Sequence, residues 1–212
     1  MDSTADPPLL QPAPVARENV AFVLFDLGGV LVDVDQERAE AKWREEGHDP
    51  DLFHAAIFES GAKPLGDLGH IDREGMRDRV DGAVPGGVSL AALQAIWGAV
   101  VSWRPWVDAL LPRLTVPYGV LSTIDPVHVE ALGPLRGADP IVYSCEIGAV
   151  KPDARAFETA AARCPVPPEQ VRYVDDLPEN VAAARRAGFD AHQVTNEAEL
   201  LSALAVVLRD HL

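Results

Sequence analysis

Six consecutive apolar residues, VAFVLF at 20–25, run without a polar interruption into Asp26, Leu27 and the pair Gly28–Gly29. A run that short and that uniformly apolar is the pattern of a strand buried on both faces, the interior strand of a parallel sheet. Parallel neighbours need crossover connections, and the second half of the chain supplies them. YGVLS, IVYS, VRYV and DAHQV read as strands, with helical segments PVHVEALGPL, DARAFETAAARC and PENVAAARRAG between them, the last closed by Gly188 at its C′ position. PWVDALLPRL precedes the set as a helix, and EAELLSALAVVLRDHL ends the chain as another. Repeated β-α units predict an α/β fold, a doubly wound parallel sheet covered by helices on both faces.

One stretch breaks the alternation. Between 35 and 101 the segments DQERAEAKWREEG, DPDLFHAAIFESG, HIDREGMRDRV and SLAALQAIWGAVV each show helical periodicity closed by Gly or Pro. The expected organisation is a tail at 1–19, a core built from 20–34 and 102–212, and a small helical domain inserted at 35–101. The tail is rich in proline and polar residues and lacks the basic and apolar regions of a signal peptide, so it is read as disordered. No apolar run approaches the ~20 residues that span a bilayer.

Eighteen basic residues against thirty-three acidic ones leave a formal charge of −15. That balance repels nucleic acid and anionic membrane surfaces, so neither is an expected partner. An anionic substrate must then be captured by a local site working against the global field. Two cysteines, Cys145 and Cys164, make no disulfide framework and fit a reducing, cytoplasmic setting, where they read as small buried hydrophobes. A monomer and a homodimer are both open.

In a doubly wound sheet the ligand site lies at the carboxyl ends of the strands. The polar residues that follow the expected strands are Asp26, then Ser122 and Thr123, then Asp175 and Asp176, while the loop after IVYS carries Lys151. Three carboxylates, two hydroxyls and an amine thus converge on one edge. Clustered carboxylates repel one another unless a hard cation such as Mg²⁺ neutralises them. A hydroxyl and an ammonium beside that metal make a receptor for phosphoryl oxygens, and an ionised Asp in line with phosphorus can act as nucleophile.

FDLGGVLVD at 25–33, LST at 121–123, GAVKPD at 148–153 and VDDLPEN at 174–180 resemble, in order, the four motifs of the haloacid dehalogenase superfamily, over about residues 20–210. The likeness is nearest to the phosphatases whose first motif reads DLGxV. It implies a Rossmann-like core with a helical cap of that family's first type at the place of the insertion. It also implies that Asp26 is nucleophile and Mg²⁺ ligand, with the Gly28 carbonyl and Asp176 as further ligands and Asp175 either a ligand through water or the partner of Lys151. Ser122 and Lys151 would hold the phosphoryl group, the amides of Leu27, Gly28 and Thr123 would complete the cradle, and Asn180 would support it. The substrate would be a small phosphorylated metabolite.

Two positions depart from the pattern. Where most phosphatases of this family carry a second Asp as general acid, this chain has Gly28, and Thr123 stands where an Asn is usual. Losing a general acid typically lowers the rate by about 10²–10⁴ unless the leaving group needs little help. The expected substrate therefore has a good leaving group, such as a sugar phosphate esterified at its anomeric carbon or an acyl phosphate, unless a cap residue or water supplies the proton. A dehalogenase and a phospholigand-binding module with little or no turnover are the alternatives. His48, His54, His70, His128, His192 and His211 show no metal-ligand spacing and read as surface or core residues. Trp97, Trp103 and Trp106 read as packing, with substrate lining as the lesser alternative; Asp33 and Asp35 read as turn and cap residues, with one of them facing the substrate as the lesser alternative; Lys63 and Arg73 read as cap cations able to meet a second anionic group.

Overall fold

The structure, a computed structural model, describes residues 19–135 and 137–209. The tail expected at 1–19 lies outside these except for Asn19, and His211 lies outside them too. Strand β1 (Phe22–Phe25) is buried at every residue. Val23 and Phe25 pack into one apolar cluster and Phe22 and Leu24 into another, which is the alternation of a central strand with helices on both sides. Two short strands, β2 (Val32–Val34) and β3 (Val101–Trp103), pair antiparallel where the chain leaves for the helical insertion and returns from it. The helical reading of 35–101 misses this ribbon, because three residues are too few to show an alternation.

The remaining strands are β4 (Tyr118–Ser122), β5 (Ile141–Tyr143), β6 (Val171–Asp175) and β7 (Asp190–Gln193). With β1 they form a parallel sheet in the order β5-β4-β1-β6-β7, so the carboxyl ends of β4, β1 and β6 stand side by side. That adjacency is what brings Ser122, Asp26 and Asp175 to one edge.

The insertion holds α1 (Gln36–Glu45), α2 (Ala62–Asp67), α3 (Arg73–Ala83) and α4 (Leu90–Val100). Asp35, Asp72 and Ser89 cap α1, α3 and α4 by accepting backbone N–H groups of their first turns. Trp43, Met76, Leu93 and Ile96 anchor an apolar cluster belonging largely to the insertion itself. The segment expected as one amphipathic helix at DPDLFHAAIFESG is instead a 3₁₀ turn (Pro50–Leu52) followed by a π-helical turn (Ala55–Glu59). Helix α2 escapes sequence reading because Pro64 and Gly66 are poor helix formers.

In the core, α5 (Val107–Leu110) is one turn long and passes into a 3₁₀ turn at Pro112, which cannot continue an α-helix. Next come α6 (Pro126–Leu132), α7 (Ser144–Ile147), α8 (Ala154–Arg163), α9 (Pro178–Arg186) and α10 (Glu197–Leu204). Helices α8 and α9 cover one face of the sheet through Phe157, Ala160, Val181 and Ala184; α5 and α10 cover the other through Val107, Leu110, Leu200 and Leu204. Gly188 follows α9 with φ +92°, as the C′ reading requires. The last helix is shorter than expected: after Leu204 the chain turns through Ala205–Val207, and Leu208 bridges back to Leu114.

Candidate active site

β1 stops because the chain folds into a tight turn directly after Asp26. The Leu27 carbonyl accepts the N–H groups of Val30, Leu31 and Val32, at 3.2, 2.9 and 2.8 Å. The turn needs Gly29, whose φ is +71° and whose missing Cβ leaves room for Asp176: a Cβ there would lie 2.2 Å from Asp176 Oδ2. The same turn directs the Leu27 amide onto Asp26 Oδ1 at 2.7 Å.

Lys151 enters from the loop after α7. Its Nζ is 2.7 Å from Asp26 Oδ1, 2.7 Å from Asp175 Oδ2 and 3.2 Å from the Tyr173 hydroxyl. The loop is tied down by Thr123, whose hydroxyl accepts the Lys151 backbone N–H at 3.1 Å. Thr123 thus anchors Lys151, a role distinct from the amide donor implied by the resemblance. Asp175, wholly buried, accepts from Asn180 Nδ2 at 3.0 and 3.1 Å, from the Leu177 N–H at 2.9 Å and from the Tyr173 hydroxyl. Asn180 therefore braces Asp175 from the first turn of α9.

Asp26, Asp175 and Asp176 each present a carboxylate oxygen within 4.8 Å of the others. Burial pushes the Asp26 carboxyl up to about 7, with Lys151 opposing and Asp175 reinforcing the shift. Burial works against the Lys151 ammonium, but its two carboxylate partners outweigh it and hold the pKa above the ordinary lysine value. Burial would likewise raise Asp175, yet Lys151, Tyr173 and the Leu177 amide together hold it below the usual carboxylate range. Burial and the neighbouring Asp175 raise Asp176.

Three carboxylates facing one ammonium leave an excess of negative charge, and the ligands are all hard oxygens at the spacing of one cation's shell. That donor set fits Mg²⁺ or a similar divalent ion. Ser122, Thr123, Gly28, Gly29, Lys151 and Asn180 share with Asp26 and Asp176 the lining of a cavity of about 520 Å³; Leu27 lines a neighbouring cavity instead, and Asp175 lies behind the wall, joined to the site through Lys151.

Two further groups had escaped sequence reading. Tyr173 sits two residues before Asp175 on the same strand face, so a lone phenol in an apolar strand was the available signal. Arg104 lines the cavity and pairs with Asp33, Nε to Oδ1 at 2.8 Å, so Asp33 faces the site as well as ending the turn. His128, read as a surface or core residue, is buried, with its Nδ1 2.6 Å from Asp125 Oδ2. Asp35 caps α1 as expected, and Arg73 is held by Glu130 at 2.9 Å, away from the cavity. Trp103 and Trp106 pack against the core, and Trp97 both packs and lines a second cavity. Burial pushes the thiols of Cys145 and Cys164 up to about 11, which suits inert packing residues.

A family model for haloacid dehalogenase-like hydrolases matches residues 20–188, most of the chain. The chain belongs to the haloacid dehalogenase-like hydrolases. Among curated members, it is 27% identical over 208 residues to the validoxylamine A 7′-phosphate phosphatase of Streptomyces hygroscopicus subsp. limoneus, covering 88% of this chain and 92% of that one. It is 28% identical over 206 residues to the D-ribitol-5-phosphate phosphatase of Bacteroides thetaiotaomicron, covering 88% and 97%. A haloacid dehalogenase family enzyme from Bacteroides thetaiotaomicron, solved with magnesium and inorganic phosphate, superposes with a TM-score of 0.74 at 21% identity, over 82% of this chain and 93% of that one. This last likeness establishes the haloacid dehalogenase fold. Among the described residues no helix is long and apolar enough to cross a membrane.

Proposed function

We propose that this chain is a Mg²⁺-dependent phosphatase that hydrolyses a small phosphate monoester through a phosphorylated Asp26. The observation that carries the reading is the buried cluster of Asp26, Asp175 and Asp176 with Lys151 bridging the first two. The names of the two curated relatives, both phosphatases, support it. Displacement at carbon, the dehalogenase alternative, needs no metal, and a three-carboxylate cluster would be an unexplained burden on such an enzyme.

The metal would be held by Asp26, Asp176 and the Gly28 carbonyl, with Asp175 behind them. When bound, it would offset the charge of the carboxylates and of the phosphoryl oxygens. The chain's own residues do the rest. Lys151 and the Leu27 amide both bond Asp26 Oδ1, which fixes the carboxylate plane and leaves Oδ2 the freer oxygen to meet phosphorus. A bond forms between Asp26 and phosphorus as the bond to the ester oxygen breaks, and Lys151 and Ser122 hold the transferred oxygens. Water then attacks phosphorus and releases phosphate from Asp26. The helical insertion, residues 35–101, serves as a cap over this edge of the sheet and limits water during the first step. Gly28 offers no acid to the departing oxygen, which favours substrates with good leaving groups.

The test is phosphate release with and without Mg²⁺ over a panel of alkyl, sugar and acyl phosphates. Turnover that needs Mg²⁺ and vanishes in Asp26→Asn is expected. Saturable phosphate-ester binding with no turnover on any member would make the protein a binding module instead.

A further inference from the structure

Beside the polar cavity lies a second one of about 270 Å³, and the two share Gly28, Val34, Ser122 and Thr123 in their walls. The two cavities therefore adjoin, and a substrate whose phosphate rests on Asp26 has the second one beside it for its alcohol half. This second space is mostly apolar, walled by Val32, Phe53, Ile57, Ile96 and Trp97, with Phe58 at 39% exposure on its rim. Ile57 and Phe58 lie on the π-helical turn, an irregularity that is frequent at functional sites.

One polar atom in that wall lacks a partner. The His128 side chain is 9% exposed, and its Nε2 is buried without any hydrogen bond. Such an atom is expensive to leave unmet, and the residue that carries it lines the cavity. The other ring nitrogen is engaged: Nδ1 is 2.6 Å from Asp125 Oδ2. Asp125 is wholly buried and held ionised, so Nδ1 carries the proton and donates. Asp125 is itself fixed by Trp97 Nε1 at 3.1 Å, by Lys63 Nζ at 3.4 Å and by the amides of Val127 and His128 at 3.0 Å each. The imidazole is thus locked by Asp125 within the wall of the cavity, and Asp125 acts as its positioning residue.

We propose that His128 is a substrate-binding residue that recognises a hydroxyl group on the alcohol half of the ester. A hydroxyl suits it because it both donates and accepts, and so pairs with Nε2 whether or not that nitrogen carries a proton. The ligand class is a phosphate ester whose alcohol half is compact, largely apolar on the faces against Ile57, Ile96 and Trp97, and hydroxylated on the edge that reaches His128. The inference rests on the phosphatase reading for its substrate and on the cavity alone for its binding site.

The test has two arms. In the first, cyclohexyl phosphate is compared with its 2-, 3- and 4-hydroxy derivatives as substrates. At least one hydroxylated isomer should exceed the parent in kcat/KM by about tenfold, and in His128→Phe that preference should shrink to about twofold or less. Equal treatment of all four by the wild type would overturn the proposal. The second arm needs no turnover and no variant that folds: in ¹⁵N-labelled wild-type protein, cyclohexanediols should move the His128 Nε2 resonance and cyclohexanol should not. If the diols move it while no ester is hydrolysed, the binding site stands and the phosphatase reading falls. If neither alcohol moves it, His128 recognises no hydroxyl, whatever the enzyme turns over.

Discussion

Gly29→Ala should cripple metal binding with only modest loss of fold. The added Cβ would lie 2.2 Å from Asp176 Oδ2 and 2.4 Å from its Cγ, so the carboxylate must retreat by about 0.8 Å to restore the 3.0 Å that Cβ atoms need. Magnesium holds its oxygens at about 2.0–2.1 Å and tolerates little distortion, so such a retreat removes Asp176 from the shell. Displacing even an outer-shell partner weakens a metal site by about 10–100-fold, and a direct ligand should matter no less. The backbone contributes separately, because alanine at φ +71° costs about 1–2 kcal/mol, or about 2–8 °C in Tm for a chain of this size. Gly47→Ala separates the two effects: Gly47 has φ +86° with nothing within 4 Å of its would-be Cβ. Both variants should lose a similar amount of Tm, and Gly29→Ala alone should need at least about tenfold more Mg²⁺, by calorimetry and by half-maximal activity. An unchanged Mg²⁺ requirement in folded Gly29→Ala would refute the assignment of Asp176 as a ligand.

Other outcomes follow from the same geometry. Because burial raises Asp26 from the ordinary carboxylate range to about 7 in the folded state, the folded state binds the extra proton between those values. In metal-free protein this contribution to Tm is full below pH 4 and is lost as pH rises through about 7; Mg²⁺ at pH 8 should restore it, and a metal-free Tm that is flat over this range would count against the cluster's charge balance. Gly28→Asp should raise kcat/KM on alkyl phosphates by at least about tenfold relative to acyl phosphates, since it supplies an acid to the leaving oxygen. Its Cβ would meet Val34 Cγ2 at 3.2 Å, and Val34 is exposed enough to yield. Asp125→Ala should lower stability by about 3–5 kcal/mol by denaturant titration, because it strips the buried partner shared by His128, Trp97 and Lys63; a loss under about 1 kcal/mol would mean that these contacts do not clasp the insertion to the core.

The parallel sheet was legible because β1 is buried on both faces and its apolar run shows it. The strand-end rule then located Asp26, Ser122, Lys151, Asp175 and Asp176 with little freedom. Asp26 and Asp175 are adjacent because β1 and β6 pair directly, and that strand order is not printed in the sequence. Tyr173 was hidden because a buried tyrosine in an apolar strand looks like any core aromatic until its hydroxyl is seen to reach Asp175 and Lys151. His128 was hidden for a different reason: its spacing from Asp125 is that of a helix N-terminus, and Asp125 does cap α6. Only the tertiary structure shows that the ring lines a cavity and that Trp97 and Lys63 converge on the Asp125 that holds it. The departures at Gly28 and Thr123 were visible at once. The structure adds that the Thr123 hydroxyl fastens the Lys151 loop, so that position keeps a local task.

The central claim is that phosphate passes through Asp26. The most direct measurement is rapid acid quenching of the Mg²⁺-loaded protein during turnover of an acyl phosphate, followed by peptide mass spectrometry. A phosphoryl group on the peptide that holds Asp26, absent from Asp26→Asn and lost as phosphate accumulates, is the expected result. Steady phosphate release by Asp26→Asn, with no phosphorylated peptide in the wild type, would contradict the account.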